Sequence, residues 1–505
     1  MRRTDHEPQD GSPIVPEETY LGGEVAAGRL FARLLTPPDG LSTTGRPVAS
    51  VLGQLSWAMY EWARNPYVLL ITIYIFAPYF STVVVGDPIR GQVIWGDIAS
   101  AGGFIIAVLA PFLGAVADAG GRRKPWLLLY TVLMVVGMLL LWNALPHAGS
   151  GLLLAIGAAV ALTNISYEFS AVFHNSMLPA IAPTERVGSL SGLGLALGNV
   201  AGILLLGFML IALSLPGRVH WAIVPAHPLF GISQALHEPE RLAGPLAAVW
   251  LAVFSLPLFL FTPDQPSLRL GLLDAVRQGV RSVLRTLRSL SHYRNVAHYL
   301  GARAVFNDGM TGVLTFSGIY AAGTFHWGAV QMAFYGLELS VFAVMGGFAG
   351  GWLDDRLGSK PTLIISLSGT IVSSLLSLTM GPDRIFWFIH YNVHQAPLWH
   401  FPIFNTPPEL IFLAVLNIGA TCITAAYASS RTMLARIAPP ERMGEFFGIF
   451  SLSGTSTTFL APLGVSILTL STHSQRGGML AITFFLVIGL FWMVTCVTEA
   501  RDQEV

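Results

Sequence analysis

From about residue 52 the chain is a succession of long apolar runs separated by short polar turns. A helix that crosses a bilayer needs about 20 mostly apolar residues. Twelve runs meet that length, at roughly 56–83, 94–117, 125–145, 151–175, 190–214, 245–262, 299–323, 328–352, 361–380, 409–433, 445–469 and 478–498. Six lie before a basic connector at 263–298 and six follow it. The first 51 residues are polar, carry Pro8, Pro13, Pro16, Pro37, Pro38 and Pro47, and lack an early apolar core. They read as a tail with a short helix at 22–35, not as a signal peptide. The expected layout is an all-α polytopic membrane protein. A cytoplasmic tail spans 1–51, a six-helix bundle 52–262, the connector 263–298, and a second six-helix bundle with a short tail 299–505.

Composition supports the membrane reading. Only 11% of the 505 residues are charged and 53% are apolar, with a mean hydropathy of +0.62. A typical soluble domain has about 25% charged residues. The same numbers exclude collagen, coiled coil and acidic disorder. The 28 basic and 28 acidic residues cancel, so no nucleic-acid partner is implied. Cys422 and Cys496 are the only cysteines; they give neither a disulfide framework nor a four-cysteine zinc site.

Basic residues in short loops set orientation. One side receives Arg122, Arg123, Lys124, Arg186, Arg356, Lys360, Arg436, Arg442 and the arginines of the connector. The other has Arg90, Arg218, Arg241, Arg384 and Arg476. The first side, with both termini, is expected in the cytoplasm, and the chain in a bacterial cytoplasmic membrane. Arg277, Arg281, Arg285 and Arg288 recur at helical spacing and fit either an amphipathic helix on the anionic leaflet or a plain solvated linker. The two long outer loops, 216–244 and 381–408, hold six histidines without a compact ligand spacing, so they are read as solvated and no metal is expected.

The halves repeat each other. GAVADAGGRRKP at 114–125 matches GGWLDDRLGSKP at 350–361, aligning Asp118 with Asp354. APTERVGSLSG at 182–192 matches APPERMGEFFG at 438–448. Each pair occupies the same inter-helix position in its half. Two such bundles can rock about a midplane cavity.

The matched GxxxDxxGxxK/R-type loops resemble the signature of the major facilitator superfamily. Residues 57–80 (WAMYEWARNPYVLLITIYIFAPYF), 167–194 (YEFSAVFHNSMLPAIAPTERVGSLSGLG) and 436–454 (RIAPPERMGEFFGIFSLSG) resemble its vacuole effluxer-like branch. The resemblance implies twelve helices in two pseudo-symmetric six-helix bundles and a secondary carrier; eukaryotic relatives are linked to amino-acid efflux. Members often carry Tyr-Asp-Trp-Ala-Asn-Ser in the first helix. Here the run is Tyr60, Glu61, Trp62, Ala63, Arg64, Asn65, then Pro66: the acid is kept and an arginine is added.

Ionisable residues in a span are costly and mark partners or pathways. Glu61, Arg64 and Asn65 share one face of the first helix. Arg64 can bind a substrate carboxylate bidentately or form an ion pair with Glu61. Pro66 frees a carbonyl four residues back. Asn164, Tyr167 and Glu168 form a polar stripe on the fourth helix. Glu168 is read as the proton-coupling acid, against a packing role; His174 and Asn175 are read as interfacial anchors. Arg303, Asn307 and Asp308 mark the seventh helix, with Glu338 of the eighth a candidate partner for Asp308. Asn417, Thr421, Thr424, Tyr427 and Arg431 share a face of the tenth. These residues read as a substrate lining or as polar helix contacts. Asp118, Arg122, Arg123, Lys124, Glu185, Arg186, Asp354, Arg356, Lys360, Glu441 and Arg442 read as alternating gate contacts or as topology anchors.

No Gly-x-Ser-x-Gly elbow, His-Glu-x-x-His motif or Walker loop occurs, so neither a hydrolase nor an ATP-driven pump is expected. The expected function is a proton-coupled carrier of a small solute such as an amino acid, without cofactor and working as a monomer in lipid. A sugar or drug carrier, or a non-transporting receptor or scaffold, is the alternative. Sodium coupling fits the same residues.

Overall fold

The computed structural model describes residues 47–120, 122–183, 186–264, 292–401, 403–439 and 443–499, with Thr36, 40–42 and Arg277. The helix expected at 22–35 and the connector residues Arg281, Arg285 and Arg288 lie outside them, as do Glu185, Glu441 and Arg442.

Helix α1 (Val51–Arg64) starts where Ser50 Oγ accepts the Gly53 N–H at 3.2 Å. Its span continues past Pro66 through two π-helical turns to Val84. Then come α2 (Pro88–Gly120), α3 (Lys124–Leu140), α4 (Ser150–Ile181), α5 (Val187–Phe208, extended by a π-helical turn to Ser214) and α6 (Glu238–Phe261). The second half has α7 (Arg294–Phe325), α8 (Ala329–Leu357), α9 (Ser359–Leu378), a small hairpin of β1 (Arg384–Ile385) and β2 (Ile389–His390), α10 (Pro407–Ile437), α11 (Met443–Thr455), α12 (Leu460–Thr472) and α13 (Gln475–Cys496).

Ten helices among the described residues are long and apolar enough to cross a membrane, against twelve expected. The other two expected spans fall short of that measure for physical reasons. Helix α7 is long, but Arg303, Asn307 and Asp308 dilute its apolar content. The run 445–469 is broken into α11 and α12, each 13 residues long. Pro462 has no N–H for Thr458 O. Around the break, Ser456 Oγ, Thr457 Oγ1 and Thr458 Oγ1 donate to the carbonyls of Ser453, Ala304 and Thr455, which competes with helical bonding.

The two halves pack by one plan. In the first, α1 packs on α5 and α6, α4 on α2 and α3, and α3 on α6. In the second, α7 packs on α11 and α13, α10 on α8 and α9, and α9 on α13. The halves meet through α2 against α12, the end of α1 against α7, and the end of α5 against α8.

That seam lies at the end carrying loops 215–237 and 379–406. Gln92, fully buried, donates to Thr469 Oγ1 at 2.8 Å and to Gln475 O at 3.1 Å. Gln475 Nε2 returns a bond to Pro88 O at 3.1 Å. Ser466 Oγ donates to Asp97 Oδ1. The backbones come close enough that a Cβ on Gly318 would stand 2.0 Å from Ile73 O. Trp221 stacks on Phe401 across the loops, with ring centroids 5.2 Å apart. The opposite, arginine-rich end carries Arg122, Arg123, Lys124, Arg186 and Arg436.

Candidate functional site

The first half brings its buried charges together between α1 and α4. Arg64 forks onto Glu61, with Nη2 to Oε1 at 2.7 Å and Nε to Oε2 at 3.1 Å. Its Nη1 donates to Tyr167 O at 3.3 Å, and its Cζ sits 4.5 Å from the Tyr167 ring centroid. Of the two readings of Arg64, a carboxylate fork or an ion pair, the structure shows the pair: the guanidinium fork is filled by Glu61. Asn65 Nδ2 donates to Asn199 Oδ1 of α5 at 3.2 Å.

His174 departs from the sequence reading. It is fully buried instead of interfacial. Its ring stacks on Trp57 at 4.3 Å, its Nε2 lies 2.9 Å from Trp57 O, and its Nδ1 lies 3.4 Å from Glu61 Oε1. Near the end of a span, α1 packs over it and supplies the aromatic cover. Asn164 and Glu168 are half-buried. Among the described residues Glu168 makes no hydrogen bond or ion pair, although Arg64 and Glu61 are within electrostatic reach.

The second half arranges its polar groups differently. Arg303 is buried and has no carboxylate partner among the described residues. Its Nη1 donates to Phe450 O at 2.6 Å and Ser453 Oγ at 2.8 Å, and its Cζ lies 3.4 Å from the Phe450 ring centroid. Asn307 Nδ2 reaches Gly454 O at 3.3 Å. Asp308 Oδ2 accepts the Ala461 N–H at 2.8 Å, and Oδ1 has no hydrogen-bond partner among the described residues. Asp308 thus caps the N-terminus of α12 at the break, where unpaired N–H groups and the helix dipole favour an anion. Glu338 does not pair with Asp308; it accepts from Asn417 Nδ2 at 2.7 Å. Thr421 Oγ1 donates to Asn417 O at 2.9 Å, and Tyr427 lies 3.4 Å from Thr311 Oγ1.

The loop charges work inside each half in this state. Asp264, just after α6, accepts the backbone N–H groups of Arg123 and Lys124 at 2.9 and 3.2 Å. Lys124 Nζ returns to Phe259 O at 2.9 Å, and Arg123 Nε donates to Ser176 Oγ at 2.8 Å. The second half repeats this. Glu499, just after α13, accepts the Ser359 N–H at 2.7 Å, and Lys360 Nζ donates to Val497 O at 2.7 Å. Arg436 bridges Asp354 at 3.2 Å and Glu499 at 2.9 Å. Arg356 lies over Trp352, while Arg122 and Arg186 are exposed. The Asp118 side chain lies outside the described set.

Sequence reasoning missed Gln92, Asp97, Asp264 and Glu499. Asp97 was visible as an acid inside the 94–117 run. Asp264 and Glu499 follow the sixth helix of each half at an offset of 235, beside the lysine pair at 236.

A family model described as vacuole effluxer Atg22 like matches residues 99–504. The chain belongs to this family. An uncharacterized MFS-type transporter, YxiO of Bacillus subtilis (strain 168), is 20% identical over 465 residues, covering 89% of this chain and 96% of that one. Autophagy-related protein 22 of Yarrowia lipolytica (strain CLIB 122 / E 150) is 22% identical over 368 residues, covering 68% of this chain and 57% of the relative. The fold is that of the crystal structure of a D-xylose–proton symporter, at TM-score 0.62 and 13% identity, covering 90% of this chain and 99% of that chain. A bacterial homolog of the human lysosomal transporter Spinster, in an inward-facing, occupied conformation, matches at TM-score 0.56 and 15% identity, covering 88% and 95%. This Atg22-like chain is a multi-pass membrane transporter with the major facilitator fold, not an enzyme.

Proposed function

We propose that the protein is a secondary carrier that moves a small polar solute by alternating access and draws on the proton gradient. Helix α7 and the α11–α12 pair complete twelve crossings in two six-helix bundles. The arginine-rich end and both termini face the cytoplasm by the positive-inside rule, in a bacterial cytoplasmic membrane. On that orientation the seam of Gln92, Asp97, Ser466 and Gln475 closes the outer side, and the state is inward-facing.

Glu168 carries the coupling assignment. It is an acid inside a span that gives no hydrogen bond or ion pair to the fold among the described residues, next to the Glu61–Arg64 pair. Such an acid has a transport role by default.

With the Arg64 fork filled, a substrate carboxylate is not required. Asn65, Asn164 and Tyr167 from the first half, with Asn307, Thr421 and Tyr427 from the second, offer amides and hydroxyls suited to a neutral polar solute. The likeness in fold to a xylose–proton symporter supports a sugar. The resemblance to the effluxer branch, whose eukaryotic relatives are linked to amino-acid efflux, supports an amino acid as the second reading.

A panel of labelled sugars and amino acids in proteoliposomes, with and without a pH gradient, tests this. One solute class is expected to move only with protein and faster with the gradient. Uptake equal to that of protein-free vesicles across the panel rejects the carrier. Glu168→Gln is expected to abolish gradient-driven movement while keeping folded yield; unchanged pH dependence rejects Glu168.

A further inference from the structure

The pseudo-symmetry of the halves sets Arg303 where the first half has Glu61. In the first half Trp57 Nε1 donates to His174 O, and a Cβ on Gly198 of α5 would stand 3.0 Å from Asn65 Cβ. In the second, Tyr299 OH donates to Ser430 O, and a Cβ on Gly454 of α11 would stand 3.6 Å from Asn307 Nδ2. Tyr299 and Asn307 follow Trp57 and Asn65 by 242 residues. Ser430 and Gly454 follow His174 and Gly198 by 256, the spacing of the repeated APTERVG and APPERMG segments. The same step of 242 carries Glu61 to Arg303 and Arg64 to Phe306. The first half thus puts an acid and its cation on this face, and the second puts a cation there without an acid.

The two guanidiniums differ in one edge. Arg64 gives Nε and Nη2 to the two oxygens of Glu61. Arg303 turns Nη1 to Phe450 O and Ser453 Oγ, and neither its Nε nor its Nη2 has a hydrogen-bond partner among the described residues. The residue is only 8% exposed, where N–H groups without acceptors are costly. The Phe450 ring against the guanidinium face offsets part of the charge but accepts none of these N–H groups. Neither Asp308 nor Glu338 answers them: Asp308 accepts from Ala461 and Glu338 from Asn417. Arg431 of α10 lies within electrostatic reach and adds a second positive charge, with Tyr427 also near.

We propose that Arg303 binds a small oxyanion, a carboxylate or phosphate group, through its Nε–Nη2 edge, with Asn307 beside it and Arg431 adding to the attraction. The planar fork matches two oxygens of either group. In the inward-facing state the site is approached from the arginine-rich end, and a solute that carries the group seats its charge on the second half. Its use in transport rests on the carrier reading; the binding itself does not.

The test uses the full chain in lipid nanodiscs at constant ionic strength, with acetate, methylphosphonate and neutral acetamide as probes. Saturation-transfer difference NMR is expected to show at least one of the two anions bound to wild type, and acetamide unbound. Which anion binds tells carboxylate from phosphate. Arg303→Gln removes the charge and the fork, and is expected to weaken the bound probe about tenfold or more. Arg303→Lys keeps the charge, loses the fork and is expected to fall between. Asn307→Asp leaves Arg303 in place and adds a negative charge beside it. It is expected to weaken the probe several-fold, which keeps the site testable if the Arg303 variants do not fold. Neither anion binding above acetamide, or an affinity unchanged by Arg303→Gln or by Asn307→Asp, overturns the proposal. Binding that follows these variants, with uptake equal to that of protein-free vesicles, defeats the carrier reading and leaves the anion site standing.

Discussion

Trp250 Nε1 donates to Trp62 O at 3.0 Å, the carbonyl that Pro66 leaves without its helical N–H. The freed carbonyl is spent on joining α1 to α6, and the two indoles stack with centroids 5.6 Å apart. Trp250→Phe keeps most of the packing but strands the carbonyl, and is expected to cost about 1–3 kcal/mol. In a Pro66→Ala background the restored backbone N–H takes the bond, so the same substitution costs less. Thermal unfolding of the four proteins in one detergent measures the coupling. Equal costs in both backgrounds remove Trp250 as the partner of that carbonyl.

Asp308 separates capping from charge. Asp308→Asn keeps an oxygen for the Ala461 N–H, whereas Asp308→Ala does not. The alanine variant is expected to lose about 1–3 kcal/mol and the asparagine variant much less. If both lose stability equally, the negative charge and not the cap holds α12.

The seam should be adjustable. Ser466→Ala removes the bond to Asp97, and Gln92→Ala removes those to Thr469 and Gln475. Spin labels at the exposed Ile223 and Leu398, in the long loops of the two halves, are expected to show a larger separated population in both variants. An unchanged distance distribution in the double variant means these bonds do not hold the seam.

His237 precedes α6, outside the membrane span, and its hydrogen bond to Glu240 Oε1, at 3.3 Å, raises it above its ordinary value. The folded protein therefore binds this proton more tightly than the unfolded chain. The stabilisation is complete below about pH 6.5 and is lost as pH rises through the raised value. His237→Asn, which tolerates the left-handed backbone there (φ 53°), is expected to lower the melting temperature at pH 6 and to matter less at pH 8.5. The ring is partly exposed, so the effect is small. A larger deficit at pH 8.5 reverses the assignment.

Hydrophobic run length alone located the ten spans seen among the described residues, and the carbonyl released by Pro66 was legible from covalent chemistry. Partners were less legible. Glu338 meets Asn417 and not Asp308, because α8 lies so tightly on α10 that a Cβ on Gly346 would stand 2.3 Å from Thr421 O; interhelical register is not written in either helix alone. The burial of His174 depends on Trp57, 117 residues away. The break between α11 and α12 was signalled by Pro462 and the hydroxyl run before it, yet its cap, Asp308, comes from another helix. Asp97 was legible by the rule applied to Glu61 and Glu168.

Asp264 with Lys124, and Glu499 with Lys360, lock the third helix of each half to its sixth at the same level. Rocking transmits displacement only if the moving part is stiff; a lever that flexes dissipates its stroke before the far end moves. With both levers clamped at the arginine-rich face, a small tilt at the Gln92–Thr469 contact is carried across the full thickness of the bilayer.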